Sequence, residues 1–408
     1  MKKCAVACIV AVFIVCALCG CAPSHAEEYG LAATYVQPYA ESSDPEKELA
    51  ENVEEIVDTL DLTELEAYLA TLSDEQRAVF GMSGMKSRIK AAITGDLSSD
   101  YGSFLSYIGN VLGVSVLNYL PVMAAVIAIA VAYNLLGSLR GKFAAASVQN
   151  IVYFACAALL IVLLFTQVFA AIAAVRKSVE NLQKQMAMLF PVLLTLMAAV
   201  GAGSSVAVYR PGVAILSNGI AELVTAFILP AFIVSVVFTV VGNLTEGVKL
   251  GKLSDFFSSV SKWLLGTAFF LFSAFMAVQG ITASVYDGVS VRTAKFALGK
   301  YVPIIGGYLS DGLNLVMSGS VLVKNAVGTT AMVLLFVSVV PVVAQILLLS
   351  LCLRFAGAVI EPLGDGRMSA LVTGIGKNLT LLVSVVLAVS FLYFIFLVLI
   401  VCTGNLAV

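Results

Sequence analysis

The chain has 408 residues, of which 60% are hydrophobic and only 12% are charged. About a quarter of the residues in soluble globular proteins are charged, so this composition excludes an ordinary soluble enzyme and indicates burial in lipid. The formal net charge of −2 conceals an asymmetry. Residues 27–110 carry 17 acidic and 5 basic side chains, whereas residues 111–408 carry 8 acidic and 16 basic ones. Two differently solvated parts are therefore predicted.

The first 26 residues have the pattern of an export signal. Lys2 and Lys3 precede a short apolar run, Cys4–Leu18, and a small-x-small cleavage pattern ends at Ala26. Two alternatives remain open: an uncleaved membrane anchor, or lipidation at Cys21 within a lipobox-like Leu-Cys-Gly-Cys sequence. In each case the chain that follows is expected to be exported.

Residues 27–110 are predicted to form a small exported acidic domain built of helices. Pro45 follows Ser43 and Asp44, which are favourable residues for a helix N-cap, and Ser73 with Gln76 forms a capping box. About 80 residues bury only a marginal core, so docking on partners or on the membrane part is expected. An apolar stripe at helical spacing is formed by Leu49, Val53, Ile56, Val57 and Leu60.

Residues 111–408 are predicted to form a polytopic bundle of transmembrane helices, so the expected fold class is all-α. Seven apolar runs are long enough to cross a hydrocarbon core about 30 Å thick. A doubtful eighth run, 303–324, allows three interpretations: a packed spanning helix, a re-entrant element or a surface helix. The seven runs are Val114–Leu136, Ile151–Val175, Met186–Tyr209, Val213–Val241, Leu264–Tyr286, Thr329–Leu353 and Leu379–Cys402.

Prolines suggest an internal repeat, with halves at 175–286 and 291–402. Pro191 and Pro230 lie 39 residues apart, and Pro303 and Pro341 lie 38 apart. Three spans per half would invert one half relative to the other, as in many transporters, although chance similarity between apolar segments is the alternative. Eight spans place nine basic loop residues inside and seven outside, and seven spans reverse this count. The positive-inside rule therefore favours eight.

Few ionisable residues lie within the apolar runs. Asn218 and Glu222 are spaced to share a helix face with Thr225, while Asp311 and Asn314 form a second polar patch. Two interpretations are open for both groups: intramembrane packing, which we favour for Glu222, or a polar pathway. Lys324, at the end of the doubtful run, is placed to extend its ammonium group to an interface.

Catalytic and cofactor chemistry has little support in the sequence. The one histidine, His25, lies at the cleavage site, and the cysteines outside the signal region, Cys156, Cys352 and Cys402, fall in apolar runs. No disulfide framework, metal site or cofactor is expected. Phosphate-loop and nucleophile-elbow patterns are missing, and basic residues are dispersed, so neither an enzyme nor a nucleic-acid-binding protein is predicted.

The segment "VRTAKFALGKYVPIIGGYLSDGLNLVMSGSVLVKNAVGTTAMVLL", from Val291 to Leu335, resembles the stage III sporulation protein AE family of endospore-forming bacteria. The steps T-A-K-F, V-P-I-I-G-G, L-S-D and L-V-K-N-A-V-G carry the likeness. The resemblance implies a protein of the mother-cell membrane that faces the engulfed forespore. It also implies partners: the other membrane proteins of a secretion-like sporulation channel, a cytoplasmic ATPase and a forespore-membrane protein.

Three functions are compatible with these features. The first is a non-enzymatic membrane component of the sporulation channel. The second is a secondary transporter of small solutes that acts alone, with Glu222 and Asp311 as coupling groups. The third is a membrane scaffold that anchors an extracytoplasmic ring and conducts nothing.

Overall fold

The computed structural model describes residues 45–80, 84–94, 100–138, 146–244, 250–301, 306–363 and 366–403. These residues form helices and turns, with no strand among them, and six of their helices are long and apolar enough to cross a membrane. The predicted fold class, an all-α polytopic membrane bundle, is thereby confirmed. The predicted export signal and the predicted N-cap at Ser43 or Asp44 fall on residues outside the described part of the chain.

The helices fall into four short ones and six long ones. A turn of 3-10 helix, Glu361–Leu363, joins the last two. In chain order they are α1 (Pro45–Thr59), α2 (Thr63–Ala70), α3 (Asp74–Phe80), α4 (Met85–Thr94), α5 (Asp100–Ser138), α6 (Ala146–Ala199), α7 (Gly203–Leu244), α8 (Gly251–Tyr301), α9 (Gly306–Ile360) and α10 (Gly366–Cys402).

Helix α6 joins two predicted spans into one helix of 54 residues. The interpretation that placed Arg176 and Lys184 in a loop between spans is therefore wrong. The polar segment contains good helix formers and no glycine or proline, and an i,i+4 ion pair joins Arg176 Nε to Glu180 Oε1 at 3.0 Å. A fall in hydropathy does not end a helix. The break comes later, at Gly201, whose φ of +85° favours glycine.

Helix α9 likewise joins the doubtful run to the span predicted after it, over 55 residues. Residues 303–305, at the start of that run, lie outside the described part of the chain. From Gly306 onward the run is helical and continues without interruption through Thr329–Leu353. The number of membrane crossings therefore stays a prediction.

Helix α10 lies at the centre of the bundle and is the most buried of the six long apolar helices. It packs closely on α9 because glycine lets the two backbones approach. Ser350 Oγ donates to the Gly376 carbonyl at 2.6 Å, and Ser369 Oγ donates to the Gly357 carbonyl at 2.8 Å. Near its C-terminal end, the ring of Phe396 lies 4.8 Å from the ring of Phe190.

The short helices α1–α4 pack against the long ones, in particular α5, α6 and α9. The predicted capping box is confirmed: Gln76 N donates to Ser73 Oγ at 3.3 Å, and Ser73 N donates to Gln76 Oε1 at 3.1 Å. The boundary predicted at residue 110 falls inside α5. The segment predicted to be exported and the predicted membrane bundle thus share a helix.

Candidate functional site

Asn218 and Glu222 lie on α7 where this helix departs from regular α geometry. Two π-helical stretches, Ile215–Gly219 and Leu223–Ile228, flank a single α turn that contains Glu222. Such wide turns are rare and occur frequently at functional sites. Gln183 Nε2 of α6 donates to Asn218 Oδ1 at 3.0 Å. Asn218 and Glu222 are both exposed, so Glu222 is not enclosed between helices of this chain.

Lys324 does not extend to an interface as the sequence suggested. Its side chain is fully buried, and its Nζ donates to the carbonyl of Thr403, just beyond the end of α10. The reason is electrostatic: carbonyl groups at a helix C-terminus carry partial negative charge and attract a cation. The Thr403 and Tyr209 hydroxyls lie 2.8 Å apart, which ties α7 to the same place.

The polar residues that the sequence singled out bind to different parts of the bundle. Asn218 is held by α6, whereas Lys324 is held by the end of α10. Asn314 is half-buried on α9, and the side chain of Asp311 lies outside the described residues. The roles predicted for Glu222 and Asp311 stay predictions.

A polar site that the sequence interpretation did not identify lies at Pro341, inside α9. Proline has no N–H, so the carbonyl four residues earlier, that of Val337, loses its helical hydrogen bond. Two side chains replace it: Tyr107 Oη donates to this carbonyl at 2.9 Å, and Gln76 Nε2 donates at 3.2 Å. A buried carbonyl without a donor is costly. The proline thereby fixes where α3 and α5 meet α9.

A second set of hydrogen bonds lies next to the first. Gln185 of α6 is fully buried, and its Nε2 donates to the Tyr68 hydroxyl at 2.7 Å and to Ser338 Oγ at 2.9 Å. Burial raises the pKa of Tyr68, and the hydrogen bond from Gln185 opposes this shift. The three side chains join α2, α6 and α9 one residue beyond Val337.

An open cleft of about 270 Å³ lies beside Pro341. Hydroxyl, amide and carboxylate groups share its wall with the apolar side chains of Val111, Val114 and Pro341, so it suits a mixed polar and apolar group. Among the residues that the structure describes, no cluster of histidine, cysteine or acidic side chains could hold a metal ion. The polar lining includes Ser73, Glu75, Gln76, Ser115, Asn118 and Gln345.

One signal in the sequence pointed to this site. Pro341 served as a repeat marker, and the rule that a proline frees the carbonyl four residues earlier identifies Val337. The donors were not identifiable, because Gln76 and Tyr107 lie 261 and 230 residues away along the chain.

Comparison with known proteins places this architecture in a family. The family model described as stage III sporulation protein AE matches residues 83–404. The chain belongs to the stage III sporulation protein AE family. The resemblance noted between Val291 and Leu335 is thus confirmed, and α4 through α10 all lie within the matched residues.

A curated relative supports the assignment of the chain to the AE family. The chain is 27% identical to the stage III sporulation protein AE of Bacillus subtilis (strain 168) over 322 residues, which cover 79% of this chain and 80% of the relative. No solved structure matches. The match begins after α3, so the Val337 carbonyl and Tyr107 lie within the AE family region whereas Gln76 precedes it.

Proposed function

We propose that this chain is a non-enzymatic, multi-pass component of a sporulation-specific channel, or secretion-like complex, that links the mother cell with the engulfed forespore. Membership of the AE family carries the proposal. The six long apolar helices are compatible with it because they provide a membrane bundle.

The arrangement at Pro341 supports a role within an assembly. Helix α3 is attached to α9 through the Gln76–Val337 hydrogen bond, so a polar, acidic segment is held on an apolar bundle. The cleft beside it is lined by hydrogen-bonding side chains of α3, α5 and α9, among them Gln76, Asn118 and Gln345. In such an arrangement the polar helices α1–α4 offer a surface to partner proteins, while the apolar long helices lie in the lipid.

Location and partners follow from the proposed function. The chain would reside in the mother-cell membrane around the forespore, with residues 27–110 extracytoplasmic. Its partners would be the other membrane proteins of the channel, a cytoplasmic ATPase and a forespore-membrane protein.

Deletion of the gene in its endospore-forming host tests the proposal. Engulfment is expected to proceed, while a reporter driven from a late forespore promoter is expected to stay silent until the gene is restored. Normal reporter activity in the deletion strain would contradict the proposal.

Reconstitution separates the channel component from the transporter that acts alone. The purified chain in liposomes is expected to show no uptake driven by a proton or sodium gradient. Gradient-driven uptake by this chain alone would overturn the proposed role as an assembly component.

A further inference from the structure

The cleft beside Pro341 brings together polar side chains from three helices. Glu75 lies on α3, Ser115 and Asn118 lie on α5, and Gln345 lies on α9. Helices α5 and α9 are both apolar enough to cross a membrane, so polar side chains are a minority on them. A few polar groups that converge on one concave site are typical of a binding site.

Two polar side chains of this wall are already occupied. Gln76 uses both ends of its amide, because Nε2 donates to the Val337 carbonyl and Oε1 accepts from the backbone N–H of Ser73. Tyr107 Oη donates its proton to the same carbonyl. Gln76 and Tyr107 therefore hold the wall in place, and a ligand would bind to the other polar groups.

Four side chains of the cleft retain unused hydrogen-bonding groups. Glu75, Ser115, Asn118 and Gln345 make no hydrogen bond or ion pair with another residue that the structure describes. Ser115 is only 3% exposed, and yet its hydroxyl lacks a partner in the described part of the chain. A buried hydroxyl without a partner costs free energy, which favours a ligand that brings a hydrogen-bonding group.

The charge of the cleft favours a cation. Glu75 is exposed, and the arginine two residues away, Arg77, is engaged elsewhere: it donates to the Ala70 carbonyl and lies 3.8 Å from the carboxylate of Asp74. Residues 45–80 carry eleven acidic and two basic side chains, so the potential around the cleft is negative. An anionic ligand would be repelled, whereas a positively charged group is attracted.

The rest of the wall suits an aliphatic chain that carries this charge. Val111, Val114 and Pro341 line the cleft beside the polar groups. A lysine side chain packs its methylene groups on such a surface while its ammonium group binds polar partners. The ammonium donors point in different directions, whereas a guanidinium is planar. Acceptors that come from three separate helices therefore favour lysine.

The acidic surface continues beyond the cleft over α1 and α2. Glu51, Glu55, Glu64 and Glu66 are exposed there and form no ion pair within the described ranges. A small amine would contact the cleft alone, whereas a protein with a basic surface would also be attracted by these carboxylates. The occupant is therefore expected to be a protein.

We propose that the cleft of about 270 Å³ beside Pro341 binds the lysine side chain of a partner protein. Glu75 supplies the opposite charge, Asn118 and Gln345 supply amide oxygens, and Ser115 supplies a hydroxyl oxygen. The inference rests on the proposed function, since it states the chemistry by which a partner in that assembly is recognised. Glu75 precedes the residues matched by the family model, whereas the other three lie within them.

Zero-length coupling with a carbodiimide tests this contact on the full chain. The reagent joins a carboxylate to an amine that touches it, so membranes of sporulating host cells with a tagged chain are treated and the Glu75 peptide is analysed by mass spectrometry. Glu75 is expected to be joined to a lysine of another protein. Ser115→Ala and Gln345→Leu are expected to lower the yield several-fold, Glu75→Gln to abolish the product, and Glu55→Gln to leave it unchanged.

Other products would overturn the proposal. Coupling of Glu75 to a lysine of the same chain, to a second copy that carries a different tag, or to a small amine would each identify a different occupant. If other carboxylates of the chain are coupled and Glu75 is not, no lysine is bound in the cleft.

A reversal of charge gives a readout that does not depend on the reagent. Glu75→Lys is expected to reduce late forespore reporter activity at least about tenfold, because it places a cation in the cleft. Glu55→Lys, the matched reversal on α1, is expected to retain most of the activity. Asp74 remains as an acidic residue in the first turn of α3, so this helix is expected to stay folded, as checked by thermal unfolding.

The deletion strain separates the inference from the proposed function. Full reporter activity of Glu75→Lys at normal membrane levels, with a silent deletion strain, would overturn the lysine site and leave the channel role intact. An active deletion strain would instead contradict the channel role itself.

Discussion

At the scale of single residues, the carbonyl of Val337 shows how one proline organises its surroundings. Pro341 removes the helical donor, and the Tyr107 hydroxyl supplies another at 2.9 Å. Tyr107→Phe is expected to lower the free energy of unfolding by about 1 kcal/mol, the usual worth of such a bond. In a Pro341→Ala background the loss is expected to shrink, because the helix again supplies an N–H.

A double-mutant cycle from thermal unfolding of the purified protein measures this coupling. Tyr286→Phe, at a position that is 66% exposed, serves as the control for loss of a hydroxyl. Equal losses in the two backgrounds would show that Tyr107 does not compensate for the proline.

Burial of the Tyr68 hydroxyl leads us to expect that the stability of the protein depends on pH. Burial raises the pKa of Tyr68 above its value in the unfolded chain, about 10. Because the folded state holds the proton more tightly, this contribution to stability is complete below pH 10 and is lost as pH rises through the folded pKa. Wild type is therefore expected to lose more stability above pH 10 than Tyr68→Phe does, as measured by unfolding at a series of pH values. Parallel pH profiles would refute this role for Tyr68.

At the scale of helices, the contact between α9 and α10 depends on glycine. A methyl group at Gly376 would lie 3.1 Å from the Ser350 carbonyl oxygen and 3.3 Å from the Arg354 backbone nitrogen. Backbone atoms of a packed helix do not move aside easily, so Gly376→Ala is expected to destabilise the protein by about 1–3 kcal/mol through overpacking.

Gly266→Ala on α8 is the matched control. A methyl group there meets nothing within 4 Å, and alanine favours helix more than glycine does, so a gain of up to about 1 kcal/mol is expected. Thermal unfolding of both variants in the same detergent measures the two changes in stability. A stabilising effect of Gly376→Ala would mean that the two helices are not in close contact.

The short helices were easier to predict than the limits of the long ones. Ser73 and Gln76 form a local signal, and the structure contains their reciprocal hydrogen bonds. The continuity of α6 was not predictable from hydropathy, because the polar segment after Val175 lowers hydropathy without interrupting the helix. Hydropathy indicates whether a segment lies in lipid or in water, but it does not indicate where a helix ends. The end of α6 is marked by Gly201, whose positive φ does not continue a right-handed helix.

At the scale of the whole molecule, the family and the fold class were accessible from sequence because they depend on motifs and composition. The site at Pro341 was not, because its donors come from the other end of the chain. Lys324 was misplaced for a similar reason: its partner, Thr403, lies 79 residues away and past the last helix.

The proposed channel role predicts the effect of neutralising the exposed carboxylate on α7. If Glu222 belongs to a polar pathway or to a contact with a partner, Glu222→Gln is expected to reduce late forespore reporter activity several-fold. Its exposure in this chain predicts an unchanged unfolding temperature.

Asp311→Asn is measured alongside it, and Glu55→Gln on exposed α1 serves as the control. Membrane levels of each variant are determined in the same cells. Normal reporter activity for both Glu222→Gln and Asp311→Asn, at normal protein levels, would exclude a polar pathway through these residues.

The hydrogen bonds at Val337 also impose an order on biosynthesis. Gln76 leaves the ribosome 261 residues before the carbonyl that it binds, and Tyr107 leaves it 230 residues before. The N-terminal helices α1–α4 must therefore wait, without their final partner, until most of the helical bundle has been translated. Synthesis of the N-terminal helices and completion of the fold are therefore separate events, and the second depends on the arrival of α9.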